Sequence, residues 1–344
     1  MFSFLSKKKS AEAEINGQRI TVQPRETVLQ AALRQGIDFP HSCRVGGCAS
    51  CKCRLIEGRV KELTEASYIL SDEDLDRGYI LACQSVPTTD VRIAVDLSAQ
   101  QARRQVQGRV LAQDRLTHDT IRLRIQLDEA LSYKAGQYAN IAFASRPELV
   151  RSYSFATPMR ADTQVHFFIR KVPGGAFSTL VNEHDLAGQT VVVDGPLGQF
   201  TLRADTTPLL MVAGGSGLAP ILAILQGAVN DQVPRPVRLL FGARSERDLY
   251  ALEDIHALAD RWAAAFEFIP VLSEPEPDSG WSGARGLVTA HLANQLTPTP
   301  QAYLCGPPAM VDAAAQALRQ LGVPADQMFT DRFTSVRDAV SAAA

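Results

Sequence analysis

No stretch of the 344-residue chain approaches the roughly 20 consecutive apolar residues that a bilayer-spanning helix needs, so no helical membrane span is expected. Neither sign of charge is in excess: 35 Lys and Arg face 37 Asp and Glu, for a formal charge of -2. Such a surface has no basic field to attract nucleic acid, and no nucleic-acid partner is expected. The order of a secretory leader is missing too, because Lys7, Lys8 and Lys9 follow the short apolar run at 1–5 rather than precede it. A cytoplasmic setting is therefore expected, with the N-terminal segment read as a disordered start in preference to a membrane-surface contact. Cysteine is scarce, six residues in all, yet Cys43, Cys48, Cys51 and Cys53 fall within one short segment, while Cys83 and Cys305 lie far from it. In a reducing compartment, thiols so clustered ligate metal more often than they form disulfides. Internal repeats are absent, and low complexity is confined to the alanine-rich 341–344.

What is present is an ordinary globular balance of 46% hydrophobic and 21% charged residues, over a length that asks for two or three cores. The texture changes twice along the chain. Residues 11–97 mix α and β: a strand, Asn16-Gly17 as a hairpin turn, a second strand at 20–22 and a helix at 27–35 precede the cysteines. Residues 98–105 carry no periodic apolar pattern and read as a linker. From 106 to 204 the dominant period is two, clearest at 121–127, with further strands at 138–143, 165–172 and 190–193; short strands separated by turns predict an antiparallel barrel. From 205 to 335, apolar strands at 209–213, 237–242, 266–272 and 302–305 alternate with helical spacing at 218–229, 247–262 and 309–321. That is the alternation of a doubly wound α/β sheet. Residues 336–344 form a tail.

Cys43, Cys48 and Cys51 have the spacing C-x4-C-x2-C, and Cys83 follows far downstream. Together they match the plant-type ligand set of a [2Fe–2S] cluster, in which one tight loop supplies three thiolates and a distant part of the fold supplies the fourth. Gly46 and Gly47 suit a loop whose amides approach sulfur. Zinc favours paired C-x2-C knuckles, and only Cys48 and Cys51 make one; zinc and plain structural thiols remain the alternatives. Cys53 reads as a small buried residue at the start of a strand, and His41 as either a neighbour of the cluster or a local turn residue. At these residues the sequence resembles the N-terminal ferredoxin module of NADH-dependent oxygenase reductases. The resemblance implies an α+β ferredoxin (β-grasp) domain over 11–97 that carries one electron at a time.

Arg151-Ser152-Tyr153-Ser154 places a guanidinium, a phenol ring and two hydroxyls within four positions, between the expected barrel strands. A flavin with a phosphate tail needs those groups together; the alternative is a surface strand with a satisfied tyrosine. Gly174 and Gly175, with Ser178 and Thr179 just beyond, follow a strand and open a helix, where amides and hydroxyls can hold phosphate; the alternative is a plain glycine turn. In this order the two segments resemble the FAD-binding half of the ferredoxin–NADP reductase superfamily. Gly214-Gly215-Ser216-Gly217 comes directly after an apolar strand and before a helix. It departs from G-x-G-x-x-G, but its glycines still permit close approach to a pyrophosphate, whose charge a helix start favours. Cys305-Gly306-Pro307-Pro308 ends a strand at the edge where doubly wound sheets bind ligands. This pair resembles the nicotinamide domain of the same superfamily, which implies that Cys305, Gly306 and Pro307 lie near the reacting ring. Cys305 would then position the ring rather than attack it, and a core thiol is the alternative. The resemblance further implies that Phe333, in Asp331-Arg332-Phe333, shields the flavin, although 334–344 continue past it.

Taken together, the resemblance implies a multidomain NADH:acceptor oxidoreductase in the order ferredoxin, FAD barrel, NAD sheet. Hydride passes from NADH to FAD, and single electrons leave through the [2Fe–2S] cluster to a protein acceptor, with orientation rather than acid–base catalysis as the chain's task. The implied acceptor is a terminal oxygenase or hydroxylase component, a Rieske dioxygenase or a di-iron hydroxylase. A fatty-acid desaturase or nucleotide-sugar dehydrase is the alternative, and a non-enzymatic carrier or sensor a third reading. NADH is expected over NADPH because Glu274 follows Ser273 where NADPH-selective relatives carry arginine, and a carboxylate there repels a 2′-phosphate. Arg244 and Arg247 are nearby cations that offset it, and Arg244 is a candidate dinucleotide contact. Asp72, Glu73, Asp74 and Asp76 read as a solvated helix face or a surface for a basic partner.

Overall fold

The computed structural model describes residues 10–41, 44, 46, 49–70, 72–95, 103–276, 278–292 and 299–333. The start at 1–9, the expected ligands Cys43 and Cys48, Gly47 and the tail lie outside the described residues. The chain divides into two compact units, one within residues 1–100 and one of Gln101–Phe333.

In the first unit, β1 (Ala11–Ile15) turns at Asn16-Gly17 into antiparallel β2 (Gln18–Val22), the hairpin expected from sequence. Both turn residues hold positive φ, 49° and 88°, which asparagine and glycine tolerate. α1 (Val28–Arg34) starts at Thr27, whose hydroxyl accepts from the Gln30 amide while the Gln30 side chain accepts from the Thr27 amide. β3 (Lys52–Glu57), β4 (Val60–Glu62), α2 (Asp72–Asp76), β5 (Tyr79–Leu81), β6 (Ser85–Pro87) and β7 (Val91–Ala94) follow. The main sheet runs β2-β1-β7-β3-β5 with β1 parallel to β7. Val28, Leu29, Ala31 and Ala32 of α1 join Ala13, Ile15 and Ile93 of the sheet in one core, the β-grasp arrangement.

The second unit opens with β8 (Arg104–Arg115), β9 (Thr120–Leu127), β10 (Tyr138–Phe143), β11 (Arg146–Ser154), β12 (Gln164–Arg170), α3 (Ala176–Glu183) and β13 (Thr190–Leu197). The strands form an antiparallel sheet in the order β11-β10-β13-β8-β9-β12. A bridge between Phe155 and Phe167 draws its two edges together and curls it into the expected barrel. Two expectations shift here. β8 begins at Arg104, inside the segment read as a linker, because Arg104 and Gln105 pair with Gly195 and Asp194 in the ladder. Arg151–Ser154 is the end of β11 rather than a stretch between strands, paired with Ile141 to Tyr138 of β10. In both places main-chain pairing carries the strand, and polar side chains leave no apolar period to read.

β14 (Leu209–Gly214), α4 (Leu218–Asn230), β15 (Val237–Ala243), α5 (Leu252–Arg261), β16 (Phe266–Leu272), β17 (Ala284–Arg285), β18 (Gln301–Gly306), α6 (Pro308–Gln320) and β19 (Met328–Arg332) complete the chain. Their parallel sheet runs β17-β16-β15-β14-β18-β19. Along β14, Leu209, Met211 and Ala213 enter one core with Leu222 and Ile255, while Leu210 and Val212 enter another with Val311 and Ala314. Helices therefore cover both faces, and the strand reads as continuously apolar. The helix expected over 247–262 starts only at Leu252: residues 246–248 form a 3₁₀ turn closed by a Ser245–Asp248 capping box, and Ala251 has φ 55°. Ala156, Phe168 and Phe200 of the barrel share the first of these cores, so barrel and sheet pack as one compact unit. No described helix is long and apolar enough to cross a membrane.

Candidate cofactor and nucleotide sites

Cys51 ends the cysteine loop just before β3, and Cys83 sits in the turn between β5 and β6. Both are buried, at 3% and 5% exposure. The Cys83 amide donates to the Cys51 Sγ at 3.4 Å, and the Gln84 side-chain amide donates to the Cys83 Sγ at 3.6 Å. Sulfur that receives amide hydrogens is sulfur prepared to carry negative charge, which fits a cluster ligand. Gly46 fits as well: at φ +83° it lies against Gln84, where an added Cβ would come within 2.9 Å of Cγ. Cys53 is buried with its Sγ toward the Ile80 carbonyl at 3.8 Å, and burial pushes its thiol up. His41 makes turn contacts, its Nδ1 2.8 Å from the Phe39 carbonyl and its Nε2 3.0 Å from the Arg44 guanidinium. Asp74, on α2, is paired with Lys52 at 3.1 Å.

On the barrel, the β10–β11 pairing fixes the alternation of Arg151, Ser152, Tyr153 and Ser154. Arg151 is exposed, Ser152 donates to Asn140 Oδ1 at 2.7 Å, and Ser154 is buried. The Tyr153 ring centroid lies 5.4 Å from that of Phe177, and burial pushes its phenol up, so the ring stays neutral. Phe177 belongs to α3, which Gly175 opens after Gly174 at φ 73°. The first backbone bond of α3 runs from Thr179 to the Gly175 carbonyl, which leaves the amides of Ala176 and Phe177 at the helix start without intrahelical acceptors. Ser178 is engaged locally. Its hydroxyl accepts from the Val172 amide at 3.0 Å and donates to the Gly175 carbonyl at 3.1 Å, so it closes the turn that presents those amides.

In the parallel sheet, the glycine loop and the Cys305-Gly306-Pro307 turn press main chain against main chain. A Cβ on Gly217 would lie 2.3 Å from the Cys305 carbonyl oxygen, and one on Gly306, at φ +149°, would lie 2.9 Å from the Gly214 carbonyl oxygen. Gly215 takes φ +54°, and its carbonyl accepts from the Tyr250 hydroxyl at 2.9 Å. Ser216 lies in the 3₁₀ turn that leads into α4. Cys305 is fully buried with its Sγ 3.9 Å from Asp331, and burial first, then the Asp331 charge, push its thiol far up. Burial and the neighbouring carboxylate both favour the neutral thiol over the thiolate. The Phe333 amide donates to the Gly306 carbonyl at 2.9 Å, and its half-buried ring packs on the core beside the same turn.

A cleft of about 180 Å³ gathers Gly214, Gly215, Arg244, Ser273 and Pro307, and adds Asp119 and Arg170 from the barrel. Asp119, in the β8–β9 turn, accepts from Arg170 at 2.9 Å and lies 3.6 Å from Arg244, which also pairs with Asp248 at 2.7 Å. Burial alone would raise the Asp119 carboxyl, but the Arg170 bond and charge and the Thr117 and Thr120 hydroxyls outweigh it and hold it below the usual range. Asp248 is held low in the same way, by Arg244 and Ser245 against burial. Sequence reasoning missed Asp119, Arg170, Asp248 and Tyr250; the Ser245-x-x-Asp248 spacing was the one available signal. His118, Asp119 and Asp248 bring ligand atoms within 4.8 Å of one another. Because Arg170 and Arg244 occupy both carboxylates, the trio belongs to an ion-pair network. A larger cavity, about 690 Å³, lies between Arg122 and His166 of the barrel and Leu222 and Arg261 of the helices, and holds none of the expected site residues.

Fold and site together define an oxidoreductase with an iron–sulfur module, a flavin barrel and a nicotinamide-nucleotide sheet on one chain. Residues 13–88 match the 2Fe-2S iron-sulfur cluster binding domain, 107–202 the oxidoreductase FAD-binding domain and 211–316 the oxidoreductase NAD-binding domain. The chain is similar to the xylene/toluene monooxygenase electron transfer component of Pseudomonas putida, 44% identical over 92% of this chain and 91% of that protein. It is also similar to the ferredoxin–NAD(P)(+) reductase component of the naphthalene 1,2-dioxygenase/salicylate 5-hydroxylase systems of a Ralstonia species, 37% identical over 91% of this chain and 95% of that one. Among solved structures, the cytochrome P450 reductase GcoB of Amycolatopsis aligns with a TM-score of 0.74 at 31% identity, over 94% of this chain and 99% of that one. The chain belongs to the family of reductase, or electron transfer, components of oxygenase systems.

Proposed function

We propose that this reductase draws on NADH and delivers single electrons to a terminal oxygenase or hydroxylase component in the cytoplasm, with a Rieske dioxygenase or a di-iron hydroxylase as the partner type. When bound, FAD accepts hydride from NADH and gives up its two electrons singly, and the [2Fe–2S] cluster carries them one at a time. The chain's own residues hold and orient. Cys43, Cys48, Cys51 and Cys83 are the cluster ligands, with amides donating to sulfur at the two that are described. Arg151, Ser152, Tyr153, Ser154 and the start of α3 at Gly174, Gly175 and Thr179 hold the flavin, and Ser178 fixes that helix start. Gly214, Gly215, Ser216, Gly217, Gly306 and Pro307 form the nucleotide floor, and Phe333 covers the flavin from the turn at Gly306. Cys305, beneath that turn, positions the nicotinamide ring rather than attacking it.

The observation that carries the reading is the meeting of Cys51 and Cys83, 32 residues apart, in one buried site with an amide aimed at sulfur. On a chain that also builds a nucleotide cleft, a buried thiolate set serves electron transfer rather than plain packing. Its test is an anaerobic titration of the purified protein with NADH followed by absorbance. Flavin bands over broad red-shifted iron–sulfur absorption should bleach together. Colourless protein, or zinc without iron in the metal assay, overturns the reading.

A further inference from the structure

The cleft that Ser273 lines also presents Arg244, beside Glu274, and that cation is already engaged. Arg244 directly follows β15, and its carbonyl accepts from the Glu274 amide at 2.7 Å, so the two residues stand side by side at the rim. Its guanidinium donates to Asp248 at 2.7 Å and lies 3.6 Å from Asp119. Asp119 comes from the barrel, where Arg170 and the Thr117 and Thr120 hydroxyls orient it. Asp248 is fixed from the other side by the Ser245 amide and hydroxyl at 3.0 and 2.9 Å. Arg244 itself is nearly half exposed while its two partners are mostly buried. Solvent can reach the cation, but the carboxylates that hold it cannot swing away.

We infer that Asp119 and Asp248 act as a clamp that keeps Arg244 from serving a 2′-phosphate, so that discrimination against NADPH is exercised partly from the flavin barrel. The inference deepens the proposed use of NADH and rests on that reading of the cleft. A 2′-hydroxyl asks only for a hydrogen-bond partner, and a carboxylate supplies one. A 2′-phosphate asks for a free guanidinium fork. To use Arg244 it must displace one carboxylate and then sit among Asp119, Asp248 and Glu274. Asp119 is thus a specificity residue that acts through Arg244, contributed by a segment outside the nucleotide-binding sheet.

The test is steady-state reduction of ferricyanide with NADH and with NADPH, by the wild type and by Asp119→Asn in the full-length holoprotein. Asparagine keeps the shape and the hydroxyl contacts of Asp119 but removes its charge. Release of the partly exposed Arg244–Asp119 pair, together with the Arg170–Asp119 pair, should raise kcat/KM for NADPH about two- to fivefold and change that for NADH less. The gain should vanish when Arg244→Ala is added and persist when Arg247→Ala is added instead. An unchanged NADPH to NADH ratio, a gain that survives Arg244→Ala, or a wild type that uses both nucleotides equally overturns the clamp. Should Asp119→Asn lose its flavin, Asp248→Asn removes the other half of the clamp and is read by the same ratio. Wild-type protein inert toward NADH refutes the underlying reading of the cleft; NADH activity with an unmoved ratio refutes the clamp alone.

Discussion

Substituting Gly217 by alanine tests whether the glycine loop and the Cys305 turn form one nucleotide-binding floor. The added methyl would sit 2.3 Å from the Cys305 carbonyl oxygen, 2.5 Å from its carbonyl carbon and 2.8 Å from the Gly306 nitrogen. All three are backbone atoms of β18 and the turn after it, so no side chain can rotate away. An ordinary contact needs about 1 Å more, and β14 and β18 must part at their ends to provide it. Overpacking of this kind costs about 1–3 kcal/mol, which in a unit of this size lowers Tm by about 2–4 °C for each kcal/mol. The kinetic effect should be larger, because a displacement near 1 Å at a positioning element can cost about 10²-fold. In ferricyanide reduction, Gly217→Ala should therefore lower kcat/KM for NADH by about that factor while flavin content stays at the wild-type level. Gly214→Ala is the internal control: its methyl meets the Met310 Sδ at 2.4 Å, the far end of a flexible side chain. Its loss should be smaller, and Met310→Ala in the same chain should restore part of it. Wild-type kinetics and an unmoved Tm for Gly217→Ala, or a Gly214 variant the more damaged of the two, would refute the reasoning.

Three further outcomes follow from the same contacts. Cys83→Ser should abolish NADH-driven cytochrome c reduction and the red-shifted absorption while sparing ferricyanide reduction; loss of both activities in folded protein counts against the order of electron flow. Tyr303 is fully buried, accepts from the Arg203 amide and donates to Gln301, both at 2.8 Å. Tyr303→Phe should cost about 1–3 kcal/mol, read as a lower urea midpoint at constant m, and an unshifted midpoint argues against the pairing. The His166 imidazole is pushed down to about 4 from 6.5, by burial first and then by the charges of Arg122, Arg160 and Arg124. Between those values the unfolded chain binds the extra proton, so stability is fully present above the unfolded value and falls as pH drops toward the folded one. His166→Asn removes that loss, so the Tm of the variant relative to wild type should rise on going from pH about 7 to about 4.5; a constant difference sinks the assignment.

How much of this was legible in the sequence depended on whether a chemistry needs its residues close together in the chain. A cluster loop, a flavin edge and a glycine turn each draw several groups from a few consecutive positions, and Cys43 to Cys51, Arg151 to Ser154 and Gly214 to Gly217 stand out for that reason. The alternation of strand and helix after residue 205 was equally visible, because strands buried on both faces are apolar throughout. Polar strands were not: Arg104, Gln105 and Arg151 take their strand places through the main-chain ladder. Nor was the break in the expected helix at Ala251, since Leu249, Leu252, Ile255 and Leu258 keep helical spacing across it. Asp119 left no trace, because it sits in an ordinary turn, meets Arg170 only when the barrel closes, and meets Arg244 only when barrel and sheet pack together.

The glycine loop shows how a departure from a known pattern can be informative once its partner is known. Gly214-Gly215-Ser216-Gly217 breaks the G-x-G-x-x-G spacing, and from sequence its glycines could be explained only by a ligand. In the fold two of them are required by the protein itself. Gly217 faces the Cys305 carbonyl rather than the cleft, and Gly214 is hemmed in by Met310 and Pro307. Gly306 reciprocates, its own missing Cβ leaving room for the Gly214 carbonyl. The two segments, almost a hundred residues apart, are therefore one element made of opposed backbones. Phe333 hangs from the same element through the Gly306 carbonyl. A change that spreads this contact should thus disturb nucleotide binding and the aromatic cover together, and a kinetic defect confined to one of them would show that the two segments act separately.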